Sequence, residues 1–558
     1  MAKAQGEFLL LPPLQKTLRL NEYVQGSLTI GTEMVNRRAF LPVTAGVFTA
    51  PDIATAQGPR TLRFVPQADL AILDPIATPA FVTRAHALMV FDMLYGWDAN
   101  FVSQPQMAEG HVVENDGKMW RITLREGLRF HDGEPVRARD VVASISRWAK
   151  RDTYAYDLMD AVEDMRAESD RVVALRLNKP FPTLPDLLGK PGTNVLCIMP
   201  ERLASSDPLR PLTEMVGSGP FRYIANERVP GARNVYSRFE GYVPRPHGTP
   251  SFLAGPKVAH LDRVEWLTMP DPATAAAALQ SGEVDWWEQP LPDLLPALRR
   301  NRNVRISIQD EAGFMAFLRL NHVQPPFNNA AIRRAIFAAV DQSEVMRAVA
   351  GEDRAMWRDN VGFITPGPMA SNAGMHALTS PRSIDDAKRQ LQAAGYRGER
   401  VVFMAPTDFA SINAMSLVTA DLLRRIGFNM DYQALDWGTM AQRWNSRQPV
   451  EQGGWSALCA FTTAASTSTP ADNKFIRGIG DRGLIGWPAS AEIERHRTAF
   501  LDAADHATQR AACAALQEAA FHDTPYVPLG IFLQPTAYRR NILDIPKGFP
   551  LFYNVRRG

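Results

Sequence analysis

Between Ser383 and Trp437 the period of the apolar residues changes repeatedly, and that alternation restricts the chain to folds that layer helix on sheet. Ser383 supplies an N-cap oxygen for a helix over 384–394, and Gly395 stands where a left-handed residue closes it. Residues 401–405 read as a strand, 413–426 as a second helix ended by Gly427, and 428–435 as a second strand leading into Asp436-Trp437. Strand, helix, strand in that order describes an α/β lobe. At 558 residues the chain exceeds one ordinary hydrophobic core, so two or three domains or lobes are expected.

The first half is less regular. Residues 61–65 have strand character, and Leu73-Asp74-Pro75 reads as a turn because Pro75 disfavours helix at the residue before it. Ala87, Val90, Phe91 and Leu94 predict a helix over 85–95. Residues 119–124 alternate as a strand does, ahead of Phe130-His131-Asp132-Gly133, where Asp-Gly is a turn signal. A helix over 138–150, a strand over 171–177 and the proline-studded stretch 180–191 suit a small β-rich subdomain inserted into a larger lobe. Further on, Ile332, Ile336, Val340 and Val345 predict one amphipathic helix over 329–348.

Composition removes several function classes. With 61 Lys and Arg against 59 Asp and Glu, the formal charge of +2 gives no general attraction to nucleic acid or anionic lipid, and no nucleic-acid partner is expected. The basic run Arg299, Arg300, Arg302 and Arg305 reads as a solvated turn. Cys197, Cys459 and Cys513 stand far apart with no metal-ligand spacing, and no cofactor is expected. No GxSxG, HExxH or SxxK in a catalytic setting supports a hydrolase, and His131 beside Asp132 belongs to a hairpin motif.

Residues 34–41 carry the pair Arg37-Arg38; a short, mildly apolar run over 41–50 follows, and then the small-x-small sequence Ala54-Thr55-Ala56. This resembles a twin-arginine export signal, with Asn36 where Ser or Thr is usual. Cleavage after Ala56 would leave Gln57 first, with no Cys for lipid attachment, so a periplasmic product without a lipid anchor is expected. The 33 residues before Met34 do not fit such a signal, which makes Met34 the expected start.

The order of several motifs is what resembles a known family. Trp120 through Val136, with Ala138 and Asp140-Val141-Val142 behind it, comes first; Gly217-Ser218-Gly219-Pro220-Phe221 and the stretch Leu279-Gln280-Ser281-Gly282-Glu283-Val284-Asp285 follow. Then stand Leu320-Asn321, Pro325-Pro326-Phe327, Ile332-Arg333-Arg334-Ala335-Ile336, Gly395-Tyr396, Gly427-Phe428 and Asp436-Trp437. Together they resemble the family 5 extracellular solute-binding proteins over roughly 62–554, the group that holds peptide-, dipeptide- and nickel-binding components of ABC importers. Gly217, Gly219 and Pro220 read as backbone-setting residues at a crossing between lobes.

The resemblance implies an α/β, two-lobed periplasmic-binding-protein fold of type II, cluster C-like, with an extra β-rich subdomain on the first lobe. It implies lobe 1 from 57–92, 216–309 and 526–558, the inserted subdomain from 93–215 and lobe 2 from 310–525, joined by a two-segment hinge. A monomer that encloses a small-molecule ligand and delivers it to ABC permease subunits follows, with no bond broken. By position, the ligand-binding residues are Phe81, Trp437, Gln452, Gly454, Trp455, Ser456, Phe461 and Thr462. One departure matters: peptide-binding relatives place an Asp shortly after the Gly-Trp pair to meet the ligand's ammonium group, whereas 454–463 contains no acid before Asp472. An ordinary peptide with a free N-terminus is therefore not the expected cargo. The rival readings are a nickel-type metal-chelate binder, for which His260 and His322 are lone histidines, and a periplasmic hydrolase.

Overall fold

A computed structural model of the protein describes residues 60–558. The twin-arginine segment and the start at Met34 lie outside the described residues. Strand Thr61–Val65 alternates so that Leu62 and Phe64 are buried, and it sits inside a seven-stranded mixed sheet. It pairs in parallel with Arg263–Leu267 on one side and Trp286–Trp287 on the other. That register places Phe64 opposite Trp266 and Trp286, and the Phe64 ring meets Trp266, Trp286 and Phe552 at 5.6, 5.0 and 5.0 Å. Large aromatic rings at one level of three strands make the core of the first lobe. Helix Pro272–Ser281 returns the chain between its parallel strands. The Asp271 carboxylate accepts from the N–H of Thr274 at 2.8 Å, and Gly282, at φ +88°, closes the other end.

A second, six-stranded sheet carries the later half, in the spatial order Trp357–Arg358, Val527–Phe532, Phe314–Leu320, Ala457–Thr463, Arg400–Pro406, Asn429–Leu435. A four-stranded antiparallel sheet (Ala108–Glu114, Met119–Leu124, Val172–Leu177, Val162–Ala167) is inserted between strands of the first sheet. Two lobes and a β-rich insertion are thus the architecture expected. The chain passes between the large sheets at 309–313 and again at 533–534, each time directly from one strand to the next.

Several local expectations need correction. The helix expected over 85–95 is Phe81–Val90, because Phe91 turns extended at φ −115° and Tyr95–Trp97 pairs as a strand with Ser103–Pro105. The single helix expected over 329–348 is broken into Ala330–Ala335, a tight turn Ile336–Ala338, and Gln342–Ala350. Asp341 starts the last piece by accepting from the N–H groups of Ser343 and Glu344. Gly217 and Gly219 do not lie at a crossing between lobes. They press on the end of helix Phe81–Val90, where an added Cβ would come within 2.0 Å of the Val90 carbonyl oxygen and 2.5 Å of the Met89 oxygen.

Two of the recognisable motifs are joined at His131. The Gly217 N–H donates to its Nδ1 at 3.3 Å, so Nε2 carries the hydrogen and donates to the Gly219 carbonyl at 3.0 Å. His131 therefore fastens the inserted unit to the first lobe. The three cysteines are free and buried.

Candidate ligand-binding cleft

The two crossings form the floor of a cavity between the sheets. On the first, the Asp310 carboxylate accepts from the N–H groups of Ala312 and Gly313 at 3.1 and 3.2 Å, which fixes a tight bend. Gly313 has φ +79°, and a Cβ there would lie 2.6 Å from the carbonyl oxygen of Phe532, which leads into the second crossing, and 2.7 Å from the Leu533 side chain on it. Glycine lets the two crossings touch. Above this floor the cavity is walled by Phe81, Arg84, Trp286, Glu288, Phe314 and Phe549.

An aromatic chain leads from that cavity into the second lobe. Phe81, the first residue of helix Phe81–Val90, meets Phe314 at 5.7 Å and Phe461 at 6.0 Å across the cleft. Phe461 meets Phe532 at 5.3 Å and Phe409 at 5.7 Å, and Phe409 meets Trp437 at 5.3 Å. Three of the residues expected from sequence, Phe81, Phe461 and Trp437, thus belong to one continuous apolar surface. Thr462 is adjacent but buried, its hydroxyl 3.1 Å from that of Ser466, and Ser466 in turn donates to the Thr463 carbonyl at 2.8 Å.

The remaining expected residues do not join them. Trp455 is fully buried inside the second lobe among Val402, Met404, Met440 and Leu458, and its indole N–H donates to the Trp444 carbonyl at 2.9 Å. The Ser456 hydroxyl accepts from the Val402 N–H at 3.1 Å. A Cβ on Gly454 would stand 1.8 Å from the Gln448 carbonyl oxygen, and Gln452 is exposed on a surface turn. This segment anchors the strand that carries Phe461.

Sequence reasoning passed over Arg84, Glu288, Asp310, Phe314 and Phe549. Arg84 had a visible signal, a charged residue within the mostly apolar Phe81–Val90 run. It is 4% exposed, and burial lowers its pKa to about 10. Burial likewise raises Glu288 to about 7, although its carboxylate accepts from the Gln67 N–H at 2.8 Å. Glu288 and Asp310 come from strand ends and crossings, which have no period to mark them.

Away from the cavity, the inserted unit is fastened to the second lobe by charge. Lys190 bridges Asp152 at 2.9 Å and Asp472 at 3.3 Å, all three buried. Arg497 reaches Asp157 at 2.7 Å, and Arg477 donates to the Thr153 carbonyl. Asp472, the first acid after the Gly-Trp pair, is thus committed to Lys190, and burial raises it to about 6. His322 is half-buried with Nε2 3.3 Å from the Pro525 carbonyl. Among the described residues no group of three or more His, Cys, Asp or Glu is placed to hold a metal ion, and no helix is long and apolar enough to cross a membrane.

Comparison with known proteins agrees with this geometry. The middle-region model of the bacterial extracellular solute-binding proteins, family 5, matches residues 103–469. A probable peptide ABC transporter periplasmic-binding protein, y4tO of Sinorhizobium fredii (strain NBRC 101917 / NGR234), is 33% identical over 89% of this chain and 93% of its own. Among solved structures, the binding protein AgaA of A. tumefaciens R10 with agropinic acid superposes at a TM-score of 0.75 with 21% identity, covering 89% of this chain and 99% of that one. A dipeptide-binding protein from Pseudoalteromonas sp. SM9913 with Met-Leu gives 0.72 at 18% identity, over 89% and 100%.

Proposed function

Because the chain belongs to family 5 of the bacterial extracellular solute-binding proteins, the solute-capturing components of ABC transporters, we propose that it encloses a small solute between its lobes and hands it to the transmembrane subunits of an importer. The observation that carries this is the cavity at the double crossing, lined by both lobes and by the crossings themselves. Rotation about two adjacent short segments opens and closes such a cavity without disturbing either sheet. Capture needs apolar walls and a few polar groups, and no bond is broken.

In this reading the protein works as a monomer in the periplasm, exported through the twin-arginine segment from a start at Met34 and carrying no lipid anchor. The domain division is 57–92, 216–309 and 533–558 for the first lobe, 93–215 for the insertion and 310–532 for the second lobe; the boundary expected at 525/526 moves to the crossing, since Val527–Phe532 pairs with Phe314–Leu320 in the second sheet. Phe81, Phe461 and Trp437 supply apolar contact, with Thr462 behind them. Peptides with a free N-terminus are not the preferred cargo, since 454–463 offers no carboxylate and Asp472 is paired with Lys190.

A thermal-shift screen of the purified full chain tests the reading, using peptides, capped peptides, opine-like conjugates, sugars, aromatic acids and metal chelates. A solute that binds only the native state stabilises it by about 2.7 kcal/mol at a hundredfold excess over Kd. One class is expected to raise the melting temperature with no product formed. Consumption of a compound without any such rise would replace capture by hydrolysis.

A further inference from the structure

Helix Phe81–Val90 is buried all round from Val82 onward, and it carries two ionisable side chains, His86 and Arg84, whose surroundings differ. His86 is satisfied, with Nδ1 2.9 Å from the Tyr236 hydroxyl. Arg84 is not. Its Nη1 donates to the Pro191 carbonyl at 3.2 Å, Nε has no partner, Nη2 donates to no protein group, and no carboxylate forms a salt bridge with it among the described residues. A buried cation with no carboxylate in direct contact is costly, and a ligand that brings one into contact lowers that cost on binding.

The surroundings define what fits. The guanidinium carbon stands 3.6 Å from the centre of the Phe549 ring and 5.0 Å from that of Phe81, so aromatic rings flank the group and offer it no hydrogen-bond acceptor. With Nη1 spent on Pro191, the remaining edge is Nε with Nη2, two parallel N–H groups that match the two oxygens of a carboxylate. Arg84, Glu288 and Asp310 line one cavity. The two carboxyls do not reach the guanidinium; burial raises both, which disposes them to take neutral donors. Lys474 of the second lobe, held by the Thr193 hydroxyl, adds positive potential, while Asp472 beside it is bound to Lys190.

We propose that Arg84 is the anion-recognition residue of the cleft, and that the captured solute carries a carboxylate seated on its Nε–Nη2 edge, with hydroxyl or amide donors turned toward Glu288 and Asp310. This rests on the solute-capture reading above.

Calorimetric titration of the full chain with matched pairs tests it: D-gluconate and D-gluconamide, N-acetyl-L-glutamate and N-acetyl-L-glutamine amide, 4-hydroxybenzoate and 4-hydroxybenzamide. In at least one pair the carboxylate is expected to bind roughly 10- to 100-fold tighter than its carboxamide, the range of a charge-assisted hydrogen bond. Arg84→Gln is expected to bring that ratio near 1. A purely structural role for Arg84 would weaken both members equally and leave the ratio unchanged. Should Arg84→Gln not fold, Arg84→Lys keeps the charge but loses the fork, and an intermediate ratio is expected. Carboxamides or neutral sugars that bind as well as the carboxylates overturn the anion proposal and leave solute capture standing. Failure of every compound, here and in the thermal-shift screen, overturns both.

Discussion

The ring of His131 is kept neutral by its surroundings, since burial pushes its pKa down from 6.5 to about 4 while Gly217 and Gly219 fix its tautomer. His86, buried between Tyr223 and Tyr236, is pushed to about 3. A histidine whose folded pKa lies below the unfolded value binds its proton more readily in the unfolded chain. Its contribution is intact above pH 6.5 and is lost as pH falls through the window from 6.5 toward 4 for His131 and toward 3 for His86. At pH 5 each costs about 2 kcal/mol relative to pH 7. The buried carboxyls of Glu288 and Asp472, raised to about 7 and 6, act in the opposite sense, so the test compares parent with variant. In urea unfolding at pH 7 and pH 5, His131→Gln is expected to lose about 2 kcal/mol less than the parent between the two; equal losses would mean that the ring is protonated in the fold. The structural character of His131 was legible from its hairpin motif. The difference between Trp437 and Trp455 was not: both follow small or acidic residues near a strand end, yet one faces the cleft chain and the other the lobe core. Sequence shows which residues are apolar, and only the packing of layers shows which apolar side is lined by a partner lobe.

Elements with complete boundary chemistry were legible almost to the residue. Ser383 accepts from the Asp386 N–H and Gly395 takes φ +86°, so helix Ile384–Ala393 ends where both signals stand. Strand Thr61–Val65 and strand Asn429–Leu435 likewise follow their apolar patterns. The misreading of 329–348 has a definite cause. Its apolar residues keep helical spacing through the break, since Ile336 and Val340 are both buried, but the Asp341 side chain accepts from Ser343 at 2.8 Å and begins a new helix. A cap inside an apparently continuous helix is a signal in its own right. Asp341→Ala is expected to cost about 1 kcal/mol in urea unfolding, the usual loss of an N-cap. A change within a few tenths would mean that packing of Val345 and Met346 alone sets where the second helix starts. The crossings at 309–313 and 533–534 were beyond such reasoning, because a hinge of a few residues carries neither period nor cap.

At the scale of the molecule, the contact between the inserted unit and the second lobe decides how easily the cleft opens. Lys190 and Asp152 sit on the inserted unit and Asp472 on the second lobe, with side chains no more than 4% exposed. Removing the cation by Lys190→Met leaves two buried carboxylates without their shared counter-charge, Asp152 keeping only the N–H groups of Tyr154 and Ala155, a loss of about 3–5 kcal/mol when a buried pair is broken. That loss has two outlets. The protein can unfold more readily, or the lobes can part so that water reaches Asp472, which costs only the contacts of this seam, including Arg497 with Asp157. Parting leaves both sheets whole, so it is the expected outcome. Small-angle scattering of the unliganded variant should give a larger radius of gyration than the parent, with little change in far-ultraviolet circular dichroism. Solute affinity should fall by the same factor as the population of the closed form, because only that form presents both walls of the cavity to the ligand. An unchanged radius with a lower melting temperature would instead show that the Lys190 cluster holds the scaffold together and takes no part in closure.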